Sequence, residues 1–137
     1  MPMLQKIICV DDDLIALLLS RLIITKTNYT SEIITAINGQ EALGYLSQEK
    51  VINENKGNKN NILILLDLNM PIMDGWDFLE EFGSQLAHQY TNIKIILLSS
   101  SVDPSDIQKS KTYPIVLDFL PKPLTKETLN IIIEKLK

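Results

Sequence analysis

The chain has 137 residues, a formal net charge of −4, 45% hydrophobic and 22% charged residues, and one cysteine. That length suits one domain with a full core, and the composition excludes disorder, a collagen-like repeat and a disulfide scaffold. The acidic balance argues against a general nucleic-acid surface, which needs Lys and Arg to neutralise phosphates.

The first apolar run, Ile7-Ile8-Cys9-Val10, is too short for a secretion signal and is followed at once by Asp11, Asp12 and Asp13. A helix is predicted near 13–27. Its Leu14, Ile15, Leu17, Leu18, Leu19, Leu22, Ile23 and Ile24 exceed one core stripe of ~100°. It is therefore either buried broadly or exposes an apolar patch beside the acidic run. Ser20 and Arg21 interrupt it, and no stretch reaches the ~20 apolar residues of a membrane span. Ile33-Ile34-Thr35-Ala36-Ile37 is the second strand, and Asn38-Gly39 opens a helix near 39–49. The polar segment 53–61 (NENKGNKNN) reads as a mobile loop.

Ile62-Leu63-Ile64-Leu65-Leu66 is the third strand, and Asp74-Gly75 opens a helix near 75–89. Trp76 and Phe78 read there as packing residues, and His88 as a surface residue. Ile95-Ile96-Leu97-Leu98 is the fourth strand, with a helix near 104–112 started by Asp103-Pro104. Ile115-Val116-Leu117 is the fifth strand. Thr125 then caps a last helix near 125–137, in which Ile131 lies off the apolar stripe. The strands are mostly continuous apolar runs, as expected when helices cover both faces of a parallel sheet. Five successive β–α units predict right-handed crossovers and a doubly wound α/β sandwich. One domain over 1–137 is expected. A single cysteine suits the reducing cytoplasm, and Cys9 reads as a small core residue.

In such a sheet, ligands bind at the carboxyl ends of the strands. The first strand ends in Asp11-Asp12-Asp13, the third in Asp67 and the fourth in Ser99-Ser100-Ser101; Lys122-Pro123 follows the fifth. Nearby carboxylates repel, so a divalent cation is needed to keep all of them ionised, and an all-oxygen donor set favours Mg²⁺. A carboxylate can attack a phosphoryl group, with Lys122 and a hydroxyl such as Ser99 stabilising the developing charge. Asp67 is the best nucleophile candidate, because it ends the central strand and stands apart from the Asp11–Asp13 run. Asp13 also reads as a helix cap, and Ser100 and Ser101 stand beside Ser99 as alternatives.

Four segments together carry a family likeness: Val10-Asp11-Asp12; Asp67-Leu68-Asn69-Met70-Pro71-Ile72-Met73-Asp74-Gly75; Leu98-Ser99-Ser100; and Phe119-Leu120-Pro121-Lys122-Pro123. In this order they resemble the receiver domain of two-component response regulators, over essentially the whole chain. The resemblance implies a flavodoxin-like (βα)5 fold with strand order 2-1-3-4-5. It implies Asp67 as phosphoryl acceptor and Mg²⁺ held by Asp12, Asp11, Asp67 and the Asn69 backbone carbonyl. Lys122 would pair with the phosphoryl group, Ser99 would swing to it, and the rotamer of Phe119 would follow. The Lys122-Pro123 peptide would be cis.

By the same resemblance the phosphodonor is a histidine kinase or a histidine phosphotransfer protein, and the first helix faces it. A second contact surface would lie on the fourth helix, fifth strand and last helix. The expected role is a stand-alone phosphoryl-accepting switch rather than an enzyme, acting on an unknown downstream protein by contact, with no nucleic-acid or membrane partner. Three features depart from the commonest pattern: Ser100 in place of a frequent Ala, Phe119 without a phenol, and the long segment 53–61. Two alternatives remain. A haloacid-dehalogenase-like phosphatase wants a second Asp where Asn69 stands. A receiver-like binding module would not be phosphorylated at all.

Overall fold

The computed structural model describes residues 3–30, 32–55 and 61–137. In chain order the elements are β1 (Leu4–Val10), α1 (Leu14–Thr27), β2 (Ile33–Ala36), α2 (Gly39–Leu46), α3 (Glu49–Asn55) and β3 (Asn61–Asp67). There follow α4 (Gly75–Gln85), a 3-10 turn (Ala87–Gln89), β4 (Ile93–Ser99), α5 (Pro104–Ser110), β5 (Val116–Pro121) and α6 (Lys126–Leu136). The five strands form one parallel sheet in the order β2-β1-β3-β4-β5.

Successive side chains of a strand point to opposite faces, and here both faces are apolar. Ile8, Val10, Ile62, Ile64, Leu66, Ile95 and Leu97 pack with α2, α3 and α4. Ile7, Cys9, Leu63, Leu65, Ile96 and Leu98 pack on the other side with Leu17 and Ile24 of α1 and Leu129, Ile132 and Ile133 of α6. Burial pushes the Cys9 thiol up to about 12, so it stays an inert core residue.

The helix starts follow from local capping. Asp13, Asn38, Asp74, Asp103 and Thr125 each accept a backbone N–H of the helix they precede. Two expectations need correction. The helix predicted near 39–49 is two helices, because the Ser47 N–H and hydroxyl both donate to Leu43 O (2.9 and 2.7 Å) and close the first. The segment read as a loop over 53–61 is partly regular. Residues 53–55 end α3, which buries Val51, Ile52 and Asn55, and Asn61 begins β3. Residues 56–60 lie outside the described residues.

The choice left open for α1 is settled by its surface. Leu17 and Ile24 are buried, whereas Leu14, Ile15, Leu18, Leu19 and Leu22 are each more than half exposed. Ile131 is also exposed, and no helix among the described residues is long and apolar enough to cross a membrane.

Away from the carboxyl ends of the strands, a lysine is buried. Lys6 of β1 is 2% exposed, and its ammonium donates to the Tyr45 hydroxyl at 2.8 Å. Glu32 and Glu54 pair with it at 3.2 and 3.4 Å. Burial works against the charge, but Tyr45 and Glu32 outweigh it and the ammonium's pKa is raised.

Candidate functional site

Parallel strands bring four of their carboxyl ends to one edge of the sheet. Asp11 follows β1 and donates its backbone N–H to Ala36 O of β2 at 3.0 Å. Asp67 is the last residue of β3, and Ser99 the last of β4. Lys122 follows β5, its backbone N–H donating to Ser99 O at 2.9 Å. The Lys122-Pro123 peptide is cis.

Asp11, Asp12 and Asp67 each bring a carboxylate oxygen within 4.8 Å of the others. Lys122 Nζ lies 2.7 Å from Asp11 Oδ2 and 3.6 Å from Asp67 Oδ2. Asp67 is 4% exposed. Burial, followed by the negative charge of Asp11, pushes its carboxyl up to about 6, against the pull of Lys122 and of the Asn69 N–H. Burial disfavours the Lys122 charge too, but its two carboxylate partners outweigh this and its pKa is raised. The donors are all oxygen, and the carboxylates outnumber the ammonium beside them. That is the chemistry of a hard divalent cation such as Mg²⁺, which Asp11, Asp12 and Asp67 could hold.

The remaining predicted residues are placed as follows. The Asp13 side chain accepts from the Ile15 and Ala16 N–H groups and is a helix cap, outside the acidic group. Its own N–H donates to Asp11 Oδ1 at 2.9 Å, which orients the Asp11 carboxylate. The Asn69 N–H donates to Asp67 Oδ1 at 3.4 Å, and its side chain is exposed. Ser99 is fully buried, whereas Ser100 and Ser101 are exposed. The Ser99 hydroxyl donates to Ser101 O at 2.9 Å and accepts from the Ser101 N–H at 3.2 Å, so it is engaged in the following turn. Phe119 is 8% exposed and packs in the core on the α2–α4 side. His88 is exposed in the 3-10 turn.

The loop over 68–74 is shaped by two glycines, Gly39 and Gly75, whose packing roles the sequence reading did not anticipate. Gly39 donates its N–H to Met73 O at 3.2 Å, and a Cβ there would lie 2.6 Å from that oxygen. Gly75 donates to Leu68 O at 2.9 Å, and a Cβ there would lie 2.9 Å from Leu68 Cα. Met73 itself has a left-handed φ of 55°. The dipeptides Asn38-Gly39 and Asp74-Gly75, the second also ending the Asp67–Gly75 segment of the resemblance, were the sequence signal of this close packing.

The exposed face of α1 adjoins the site. A cleft of about 330 Å³ runs between them, lined by Ile15, Ala16, Leu19, Leu98, Pro123 and Leu124, with Asp11 and Lys122 also in its wall.

A family model of the response regulator receiver domain matches residues 7–134. The chain belongs to this family. The resemblance read from the four segments is confirmed, and so is the strand order it implied. This receiver domain is 30% identical over 130 residues to the two-component response regulator ARR12 of Arabidopsis thaliana, covering 94% of this chain and 19% of that protein. It thus spans about a fifth of the length of the curated relatives it matches. Among solved structures it is similar to a two-component response regulator from Cytophaga hutchinsonii, with 30% identity, a TM-score of 0.81, and 97% and 96% of the two chains covered. A response regulator receiver protein from Dyadobacter fermentans gives 29% identity and a TM-score of 0.79, with 96% and 97% covered.

Proposed function

We infer that this receiver accepts a phosphoryl group on Asp67 from a phosphohistidine of a kinase or phosphotransfer protein. The observation that carries the reading is the setting of Asp67: a buried strand-end carboxylate grouped with Asp11 and Asp12, with the Lys122 ammonium 3.6 Å away. The Asp67 oxygen bonds to phosphorus as the P–N bond breaks, and the imidazole leaves with the electron pair. Lys122 neutralises charge on the phosphoryl oxygens. Ser99 leaves Ser101 and donates its hydroxyl to one of them. Mg²⁺, held by Asp11, Asp12, Asp67 and the Asn69 backbone carbonyl, would neutralise the acidic pocket and orient the phosphoryl oxygens. Phe119 starts nearly buried beside a cleft lined by Ile107, Lys111 and Val116, so a change of its rotamer alters the surface near α5 and β5.

The exposed α1 face and its cleft support a protein phosphodonor that lays an apolar helix beside the site. The phosphatase alternative lacks support, because Asn69 offers no carboxylate where that chemistry needs one. Incubation with acetyl phosphate and Mg²⁺ tests the reading. The intact protein is expected to gain the mass of one phosphoryl group, and Asp67→Asn to gain none. No gain in the wild type, or a gain that survives in Asp67→Asn, overturns it.

A further inference from the structure

β2 is an edge strand, and none of Asp11, Asp12 and Asp67 comes from it. The chain that leaves β2 nevertheless reaches the acidic pocket from two sides. Ala36, the last residue of the strand, accepts the Asp11 N–H at 3.0 Å. Gly39, at the start of α2, donates its N–H to Met73 O at 3.2 Å, at the far end of the 68–74 loop. Residues 36–39 therefore bridge the end of β1, with Asp11 and Asp12, to the loop that follows Asp67 and carries Asn69.

The loop is fixed firmly only at its base. The Leu68 N–H donates to Leu98 O at 3.0 Å and the Gly75 N–H to Leu68 O at 2.9 Å, and Leu68 and Met70 are buried. Asn69, Pro71 and Ile72 run between and beyond them: Asn69 and Ile72 are exposed, as is Pro71. Met73 holds a φ of 55°, a left-handed conformation that persists only where neighbours enforce it. The Gly39 N–H is such a neighbour, and Gly39 is itself held. Asn38 Oδ1 accepts the Glu41 N–H at 2.8 Å and Glu41 Oε1 accepts the Ile37 N–H at 3.2 Å, a reciprocal capping box. A Cβ at position 39 would lie 2.6 Å from Met73 O and 2.9 Å from Met73 Cγ, so any other residue there displaces the loop.

We propose that Gly39, with the capping box of Asn38 and Glu41, positions the 68–74 loop against Asp11 and Asp12 and thereby sets the cation selectivity of the pocket. The proposal rests on the reading that the pocket takes a divalent cation with the Asn69 backbone carbonyl as one donor. Gly39, Asn38 and Glu41 are positioning residues; none is a ligand. A loop held at a fixed separation suits Mg²⁺, which demands near-ideal octahedral geometry, whereas Ca²⁺ is larger and tolerates varied geometry. Displacing or loosening the loop therefore weakens Mg²⁺ more than Ca²⁺, and a general loss of stability weakens both alike.

Binding is measured on the full chain by the EPR signal of free Mn²⁺, with Mg²⁺ and Ca²⁺ as competitors. The wild type is expected to bind Mg²⁺, and Asp12→Ala to lose it. Gly39→Ala is expected to raise the Mg²⁺ dissociation constant about tenfold and that of Ca²⁺ by about threefold or less. Ile133→Val, a packing loss in the opposite layer, is expected to leave the ratio of the two unchanged. Glu41→Ala opens the capping box at an exposed position where the fold survives, and is expected to raise the Mg²⁺ constant about threefold. Glu41→Gln keeps the acceptor without the charge and is expected to bind like the wild type.

Equal shifts for the two cations in Gly39→Ala, or none, overturn the positioning role and leave the cation pocket standing. If Gly39→Ala does not fold, the Glu41 pair decides. Glu41→Ala binding like the wild type, or Glu41→Gln as weak as Glu41→Ala, overturns the role too. No cation binding by the wild type, or binding that survives Asp12→Ala, overturns the cation reading and the positioning role with it.

Discussion

The Asp67 carboxyl carries a cost in the folded chain. Its folded pKa is about 6, and an unfolded Asp sits near ~3.9. Between those values the folded chain binds the proton more tightly than the unfolded one. Stability from this group is therefore full at low pH, falls as pH rises from about 4 to about 6, and stays lost above. Asp67→Asn is expected to stabilise the Mg²⁺-free protein by on the order of 2 kcal/mol at about pH 7.5 and by almost nothing at about pH 4. Urea unfolding at the two pH values checks it; equal gains would mean that the buried charge is not the cause. At this scale Asp11, Asp12, Asp67, Ser99 and Lys122 were legible in the sequence, because each stands at the end of an apolar run whose place in a parallel sheet is fixed. Lys6 was not. A lysine near the start of a strand reads as an exposed charge, and its partners Glu32, Tyr45 and Glu54 come from three separate parts of the chain.

α2 illustrates how one element can carry two opposite demands for the same residue type. At Gly39 a Cβ would press on the Met73 carbonyl oxygen at 2.6 Å, and backbone cannot yield cheaply; at Gly44 a Cβ would meet nothing within 4 Å. Gly39→Ala is expected to cost roughly 1–3 kcal/mol by overpacking. Gly44→Ala, inside the same helix, is expected to add roughly 0.5–1 kcal/mol through helix propensity. Thermal unfolding of the two variants reads the opposite signs, and a matching shift in both would refute the packing account of the 68–74 loop. Helix starts were legible because a cap is a contact across two or three residues. The break between α2 and α3 was hidden, since Ser47 closes the first helix with its own side chain and no Gly or Pro marks the place. The polar letters of 53–55 likewise masked the end of a helix whose buried face is set by Val51 and Ile52.

For the molecule as a whole, the layered α/β architecture was legible because five apolar runs separated by helical stretches leave few other arrangements, whereas the strand order came from the family resemblance. What patterning left open was the exposure of α1, because a helix with eight large aliphatics can be buried from several sides. If its exposed face receives a phosphodonor, Leu18→Glu is expected to leave labelling by acetyl phosphate unchanged. Transfer from any phosphohistidine protein that labels the wild type is expected to fall at least about tenfold, the effect of losing roughly 1.4 kcal/mol of docking energy. Equal transfer rates from the protein donor would place the docking surface elsewhere.

The buried ammonium of Lys6 has a consequence for how the chain finds its pairing. Strands that are apolar on both faces say little about register, since a slip by one residue exchanges one greasy face for another. Lys6 removes that degeneracy in β1, directly after the irregularity in its pairing with β3 between Leu4 and Lys6. Slipped by one residue, the charge would face the apolar layer of α1 and α6 without its carboxylates, a heavy penalty. Lys6→Ile keeps the apolar content and removes the arbiter. Its β1 amide signals are expected to appear as two sets in an NMR spectrum, where the wild type gives one; a single set would show that register is decided elsewhere.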